Sequence, residues 1–400
     1  MTDQSNQNHK RDRRIIPVIS MMSRGRLCFL IVMLMASSAV ASSSDTNDPL
    51  SVPSAPLDQR PSGSINFCAI GDWGGWEWFP YFTYAQHETA IGMGRVAETL
   101  NSQFVVALGD NFYHSGVDKG DSYRFKRTFE DVYSPASLTK IPWYVIGGNH
   151  DHYGNITAQI AYSQDNPDGR WVFPSLYHSH SFAAPDGSFT IDLILIDTVD
   201  LCGNNEIQDE HAEGYFDPLP LKEKSDAREQ WKWIEDQMKA STADYLLVGG
   251  HFPVYSACSH GPTETLIRHL KPLLQQYNAH YLSGHDHCMM HYEEEDVHFV
   301  LSGMGDECCY EAPSREHHLA LNPEPSALKW LISKENKDLY QAIGGFTSFQ
   351  ATSQEMKIQY HDHRGNVLFT ADPVPPRMKS GDKGDTFDQA RQQEPQEVLA

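Results

Sequence analysis

Cysteine is scarce in this sequence, at seven in 400 residues. That is too few for a disulfide scaffold of this length, and no pair has the Cys-x-x-Cys spacing of a zinc ribbon. Basic side chains are also few: 31 Lys and Arg stand against 53 Asp and Glu, a formal charge of −22. Such a chain repels a polyphosphate backbone, which argues against nucleic acid as a partner. Long apolar runs are missing too; the segment Leu27–Met35 is too short to cross a bilayer, so no stable membrane insertion is expected. No internal repeat of useful period is visible, which sets solenoids aside. What is present is a composition 40% hydrophobic and 11% aromatic. It can bury a full core in one large domain or two smaller ones, unlike a disordered or fibrous chain.

Residues 1–41 read as a secretory signal peptide. A basic stretch (Lys10, Arg11, Arg13, Arg14, Arg24, Arg26) runs into Leu27–Met35 and then into small residues ending in Ala39-Val40-Ala41, the order of parts such peptides have. The length of the basic stretch leaves a signal anchor as the other reading. Six basic and two acidic residues lie in 1–41, so the remainder carries 25 against 51, a formal charge of −26. The expected location is outside the cell or in a lysosomal or vacuolar lumen. There, the remaining cysteines (Cys68, Cys202, Cys258, Cys288, Cys308, Cys309) are expected as one or two disulfides plus buried thiols. Residues 42–63, rich in Ser, Pro and Asp, read as a flexible linker, and residues 372–400 as a disordered C-terminal tail. The folded domain is expected over 64–371.

Within it, short apolar runs alternate with amphipathic stretches. Ile65–Ile70, Phe104–Leu108, Trp143–Ile146, Ile191–Ile196, Tyr245–Val248, His280–Leu282 and His298–Leu301 have strand length. Trp231, Ile234 and Met238 recur on one helical face, as do Leu266, Ile267, Leu270, Leu273, Leu274 and Tyr277; these are core-facing stripes. The alternation predicts an α/β layered fold with its functional groups in loops beyond the strand ends. Phe346–Thr352, Met356–Tyr360 and Val367–Thr370 follow closely without helices and predict an antiparallel meander completing a second sheet.

Five strand ends share one grammar: an apolar strand, one or two glycines that turn the chain, then a metal-ligand residue type. They are Gly71-Asp72-Trp73-Gly74-Gly75, Gly109-Asp110-Asn111-Phe112-Tyr113, Gly148-Asn149-His150-Asp151, Gly249-Gly250-His251 and Ser283-Gly284-His285-Asp286-His287. Alone, an Asp after a strand is a turn or cap residue, and a His is a hydrogen-bonded surface or core residue. Turn chemistry accounts for the glycines but not for the run of carboxylates, imidazoles, an amide carbonyl and a phenol. That set suits two adjacent transition metal ions.

These blocks resemble the metallophosphoesterase superfamily and, within it, the purple acid phosphatases. The general superfamily pattern has a His two residues after the first Asp, where this chain has Gly74, and an Asp three residues after the bridging Asp, where it has Tyr113. Both exchanges mark the purple branch. Gly148–Tyr162, Asp197–Asn204, His251–Thr263 and Leu301–Gly305 are similar to the small mammalian-type tartrate-resistant enzymes, and the likeness covers about residues 64–371. It implies a four-layer α/β/β/α sandwich of two mixed sheets flanked by helices. It implies Asp72, Tyr113 and His287 on an iron(III) site, Asn149, His251 and His285 on a divalent ion (Fe(II), Zn or Mn), and Asp110 bridging them. Hard anionic donors favour the trivalent ion and imidazoles a softer divalent one, in agreement with that split. His150 and His260 match histidines that face the substrate phosphate, candidates for stabilising the transition state and protonating the leaving oxygen. The implied activity is acid phosphatase: in-line attack of metal-bound hydroxide on small phosphomonoesters, with phosphoproteins and nucleotides as further candidate substrates. A phosphodiesterase or nucleotide hydrolase on the same metal frame, or an iron-binding redox glycoprotein, are the alternatives.

Some features depart from the family pattern. Cys202 stands where the mammalian-type enzymes have half of a disulfide, but the partner position is Thr265, which leaves Cys258 as the substitute. Cys308-Cys309 reads as two buried or mutually strained thiols. Asn155-Ile156-Thr157 is a glycosylation sequon. Asn204–Asp226, polar and acidic, reads as an exposed loop; similar mammalian-type enzymes carry here a loop that covers the metal site and represses it until cleaved.

Overall fold

The computed structural model describes residues 63–166, 169–202, 224–309, 323–332 and 342–377. The expected signal peptide and linker, apart from Gly63, lie outside the described residues, as do 204–223 of the expected loop and 378–400 of the expected tail. In chain order the elements are β1 (Ile65–Ile70), α1 (Tyr84–Leu100), β2 (Phe104–Ala107), α2 (Ala136–Thr139), β3 (Trp143–Val145), α3 (Asn149–Tyr153), α4 (Ile156–Asp165), β4 (Trp171–Val172), β5 (His178–Ala183), β6 (Thr190–Leu195) and α5 (Thr198–Cys202). There follow α6 (Lys224–Ala240), β7 (Tyr245–Gly249), α7 (Glu264–His269), α8 (Lys271–Tyr277), β8 (His280–Ser283), β9 (Met289–Glu294), β10 (Val297–Ser302), β11 (Leu328–Leu331), β12 (Gly345–Ala351), β13 (Met356–Asp362) and β14 (Val367–Thr370).

β1, β2 and β3 are apolar on both faces, the pattern of parallel strands covered on both sides. They pair in parallel, with Phe67 opposite Phe104 and Val105 opposite Trp143. The first sheet has the order β14-β13-β12-β1-β2-β3-β4. The second has the order β11-β9-β10-β8-β7-β6-β5, parallel through β6, β7, β8 and β10 and antiparallel at its edges.

Alternation along each strand decides which layer a side chain enters. From β1, Phe67 and Ala69 point into the core between the sheets, while Cys68 and Ile70 join Ala90, Met93 and Ala97 of α1 on the outer face. Phe67 stacks on Phe104 at 4.6 Å and on Phe349 at 4.5 Å, and Phe104 stacks on Phe182 of the second sheet at 4.2 Å. Each such ring contributes about 1.5–3 kcal/mol by leaving water. Ile234 and Met238 of α6, with Leu266 and Leu274 of α7 and α8, join the cluster that holds the second sheet. The layers are helix, sheet, sheet, helix, as the resemblance implies.

Four details differ from the sequence reading. The terminal meander does form, but β12 pairs antiparallel with β1, so it extends the first sheet rather than completing a second. The stripe Leu266–Tyr277 is broken into α7 and α8 because Pro272, in the first turn of α8, has no N–H to continue a helix. Chain packing runs past residue 371: Val374 bridges to Met356, and the Arg377 guanidinium donates to the carbonyls of Ala243 and Ser241. Cys258 is bonded to Cys288, not to Cys202, and Cys308 and Cys309 form a vicinal disulfide rather than two thiols. Cys68 and Cys202 are buried thiols, and burial pushes the Cys68 thiol up to about 12.

Candidate active site

The chain reaches the site through loops at the carboxyl ends of parallel strands, where open α/β sheets collect their functional groups. Asp72 follows β1, Asp110 and Tyr113 follow β2, and Asn149 and His150 open α3 after β3. These belong to the first sheet. His251 and His260 follow β7, and His285 and His287 follow β8, in the second. The loops are tied to one another by backbone bonds: Asp72 N–H to Gly109 O at 3.0 Å, Gly284 N–H to His251 O at 3.0 Å, and Gly71 N–H to Ser302 O at 2.8 Å. The turns are sharp enough to put Asp72 (φ 57°), Asp110 (φ 51°) and His285 (φ 74°) in the left-handed region. Each such residue costs about 1–2 kcal/mol, which the cross-linked loops hold in place.

All nine expected site residues come together. Asp72, Asp110 and His251 are buried and offer ligand atoms within 4.8 Å of one another. The Tyr113 hydroxyl donates to Asp72 Oδ1 at 3.2 Å and lies 2.8 Å from His287 Nε2. His251 Nε2 lies 3.0 Å from Asn149 Oδ1 and 3.4 Å from Asp110 Oδ2. The His285 backbone N–H donates to Asp72 Oδ2 at 2.8 Å, and its ring lies 5.2 Å from that of His251 and 4.3 Å from that of His260. The His150 backbone N–H donates to Asp110 Oδ1 at 3.0 Å.

The electrostatics are those of a cation site. Burial, with Asp110 adding to it, raises the Asp72 carboxyl well above the usual carboxylate range, against the pull of His251. Burial would raise Asp110 too, but His251 and His150 overcome it and hold that carboxyl well below its ordinary value. Burial works against a charged His251, and Asp110 prevails, lifting it to about 9. Burial keeps His285 and His287 neutral, the form that binds metal. Among the described residues the ion pairs of Asp72 and Asp110 are with histidines alone. Two buried carboxylates, a phenol, an amide oxygen and three imidazoles, two of them held neutral by burial, fit a pair of metal ions.

Several residues that hold the site were not distinguished in the sequence. Asp151 is fully buried and accepts from the backbone N–H of Gly148 (2.8 Å) and Phe112 (3.2 Å) and from Gln159 Nε2 (2.8 Å), which locks the second block to the third. Asp286 accepts from His260 at both its backbone N–H (2.9 Å) and its Nδ1 (2.8 Å). Glu307 Oε1 lies 3.0 Å from His287 Nδ1. Arg124 donates to the carbonyls of Gly74 (2.8 Å) and Tyr113 (2.9 Å) and so fastens the first block to the second. The glycine at 74 permits this approach, since a Cβ there would stand 2.5 Å from Tyr113 N. A second ligand-type group joins His152 of α3 to Asp197, just before α5, and Asp200 within α5. Asp197 Oδ2 takes His152 Nε2 at 2.9 Å while its Oδ1 accepts the Val199 and Asp200 N–H groups. It thus serves as a cap for α5 and a buttress for α3.

Residues 65–289 match the calcineurin-like phosphoesterase family. Tartrate-resistant acid phosphatase type 5 of Mus musculus is 39% identical over 321 residues, covering 79% of this chain and 93% of its own length. Purple acid phosphatase 3 of Arabidopsis thaliana is 29% identical, covering 77% of each. Among solved structures, GAP50, described as the anchor in the inner membrane complex of Plasmodium, is similar with a TM-score of 0.65 over 80% of this chain and 90% of its own; at 22% identity it shows the fold alone. Among the described residues, no helix is long and apolar enough to cross a membrane.

Proposed function

We infer, for a chain that belongs to the calcineurin-like phosphoesterase family and to its purple acid phosphatase branch, that it is an acid phosphatase hydrolysing phosphomonoesters at a dinuclear metal centre. The observation that carries this reading is the division of donors about Asp110. Tyr113 and His287 gather on the Asp72 side, and Asn149 and His251 on the other. Asp72, Tyr113 and His287 would hold iron(III), Asn149, His251 and His285 a divalent iron, zinc or manganese, with Asp110 shared. Bound there, the pair supplies Lewis acidity and lowers the pKa of water enough for hydroxide to serve as nucleophile below neutral pH.

The chain's own groups would handle the phosphate and the proton. His150 Nδ1 lies 2.6 Å from the His114 carbonyl, which can only accept, so Nδ1 carries hydrogen and Nε2 is offered to a substrate oxygen. The His260 Nδ1–H donates a hydrogen bond to the Asp286 carboxylate, which leaves Nε2 as the ring nitrogen that would carry a proton to the leaving oxygen. Both rings would meet charge developing on phosphorus oxygens. Entry to the secretory route through residues 1–41 is supported by the exposed sequon at Asn155, and a mature N-terminus after Ala41 is the check on it. The function is tested by comparing a monoester, a diester and metal content on purified protein. Preferred monoester turnover with two ions per chain supports it, preferred diester turnover selects the diesterase alternative, and bound iron without turnover overturns both.

A further inference from the structure

Trp76, Trp78 and Phe79 are 42%, 56% and 78% exposed and sit within four residues of one another, on the strap that leaves the first metal-ligand block. Large rings exposed together point to something that covers them. The strap is fixed to the site. Glu77, between the two tryptophans, accepts the His114 backbone N–H at 3.1 Å, and Arg124 holds its origin at Gly74. Rings then continue outward from the metal centre: Tyr113 to His150 at 4.7 Å, His150 to His114 at 6.0 Å, His114 to Trp78 at 6.4 Å and Trp78 to Trp76 at 6.2 Å. The last two pairs are tilted by only 34° and 32°, so their faces turn broadly the same way.

Reach decides what could lie there. A phenyl ring bonded directly to the phosphate oxygen would stop beside His150. Trp78 is two ring spacings further out, which suits a flat ring set off from phosphorus by a sugar. We propose that Trp76 and Trp78 form a leaving-group subsite for a nucleobase, so that nucleoside 5′-monophosphates are preferred among phosphomonoesters. The proposal rests on the phosphomonoesterase reading above and adds its substrate class. Continuity with His150 favours this occupant over a lipid surface, which would not require the rings to lead into the site.

The test compares kcat/KM for AMP and for ribose 5-phosphate, the same ester without its base, on metal-loaded protein. Trp76→Ala/Trp78→Ala should lower the AMP value about tenfold or more, the range of base–aromatic stacking, and leave ribose 5-phosphate unchanged; Trp76→Tyr/Trp78→Tyr should restore most of the preference. Independently of turnover, AMP should quench tryptophan fluorescence in the wild type but not in the double Ala variant, and ribose 5-phosphate in neither. An equal substrate ratio in wild type and double variant overturns the subsite and leaves the phosphatase reading standing. Intact quenching with no turnover of any monoester overturns that reading and supports the subsite. An unchanged ratio together with loss of co-sedimentation on phosphatidylserine vesicles in the double variant overturns the subsite and assigns the rings to a membrane surface.

Discussion

A phenol placed between Asp72 and His287 makes a prediction that can be seen by eye. With iron(III) bound, Tyr113 should give a visible charge-transfer band, and Tyr113→Phe should lose it while the fold persists. A colourless, fully metallated wild type would refute the tyrosinate assignment. Asp286 invites a different test, because its hold on His260 makes the two act as one unit. His260→Ala and Asp286→Asn should each lower kcat by about 10²-fold with metals retained, and the double variant should be little worse than the poorer single one. Losses that multiply would separate the two residues. The candidate donors are legible in the sequence because each follows a strand and a glycine, a placement that repeats five times. Asp286 and Asp151 stand in the same blocks, yet an Asp within a few residues of a glycine is also an ordinary turn residue. Only the folded chain shows Asp286 turned onto His260 and Asp151 collecting backbone N–H groups.

β8, β9 and β10 carry His280, His291 and His298 side by side, all buried away from the metal site. His291 lies 3.0 Å from both the Tyr360 hydroxyl and His298 Nδ1. Burial, with His298 and Lys329 adding to it, lowers His291 to about 3, and burial lowers His280 and His298 as well. A folded-state value below the ordinary one means that the unfolded chain binds the proton first. For His291 this stability is complete above about pH 6.5 and is lost as pH falls toward 3, at up to about 1.4 kcal/mol per pH unit, and His280 and His298 act in the same direction. Thermal unfolding at pH 7, 5.5 and 4 should therefore show a falling Tm in the wild type and a shallower fall in His291→Gln. A parallel fall in both would remove His291 from the account. Strands are legible where apolar runs are continuous, as in β2 and β7. β5, with the sequence His178-Ser179-His180-Ser181-Phe182-Ala183, and the two-residue β4 are too polar or too short to stand out. The sheet joined by the final meander is not legible either, because the partner of β12 lies nearly three hundred residues earlier in the chain.

Over the whole molecule, a layered α/β fold is legible from alternation of strands and helices, and its four-layer order only through the family resemblance; the division of the site between two sheets is not legible from pattern, since period and composition do not say which strands are neighbours. That division links two equilibria. Asp72, Asp110, Tyr113 and Asn149 arrive from one sheet and His251, His285 and His287 from the other, so any ion they share is bound only while the sheets face each other. Metal loading and the closing of the core are then coupled by mass action: a free ion at a hundredfold excess over its Kd adds about 2.7 kcal/mol to unfolding. Chelation should lower Tm by several degrees even where no substrate is present, and re-addition of metal should restore it in proportion to the logarithm of free ion. In Asp110→Asn that dependence should flatten. A Tm indifferent to metal would mean that the two sheets hold together without regard to what lies between their ends, and that the protein can be emptied and refilled without loosening.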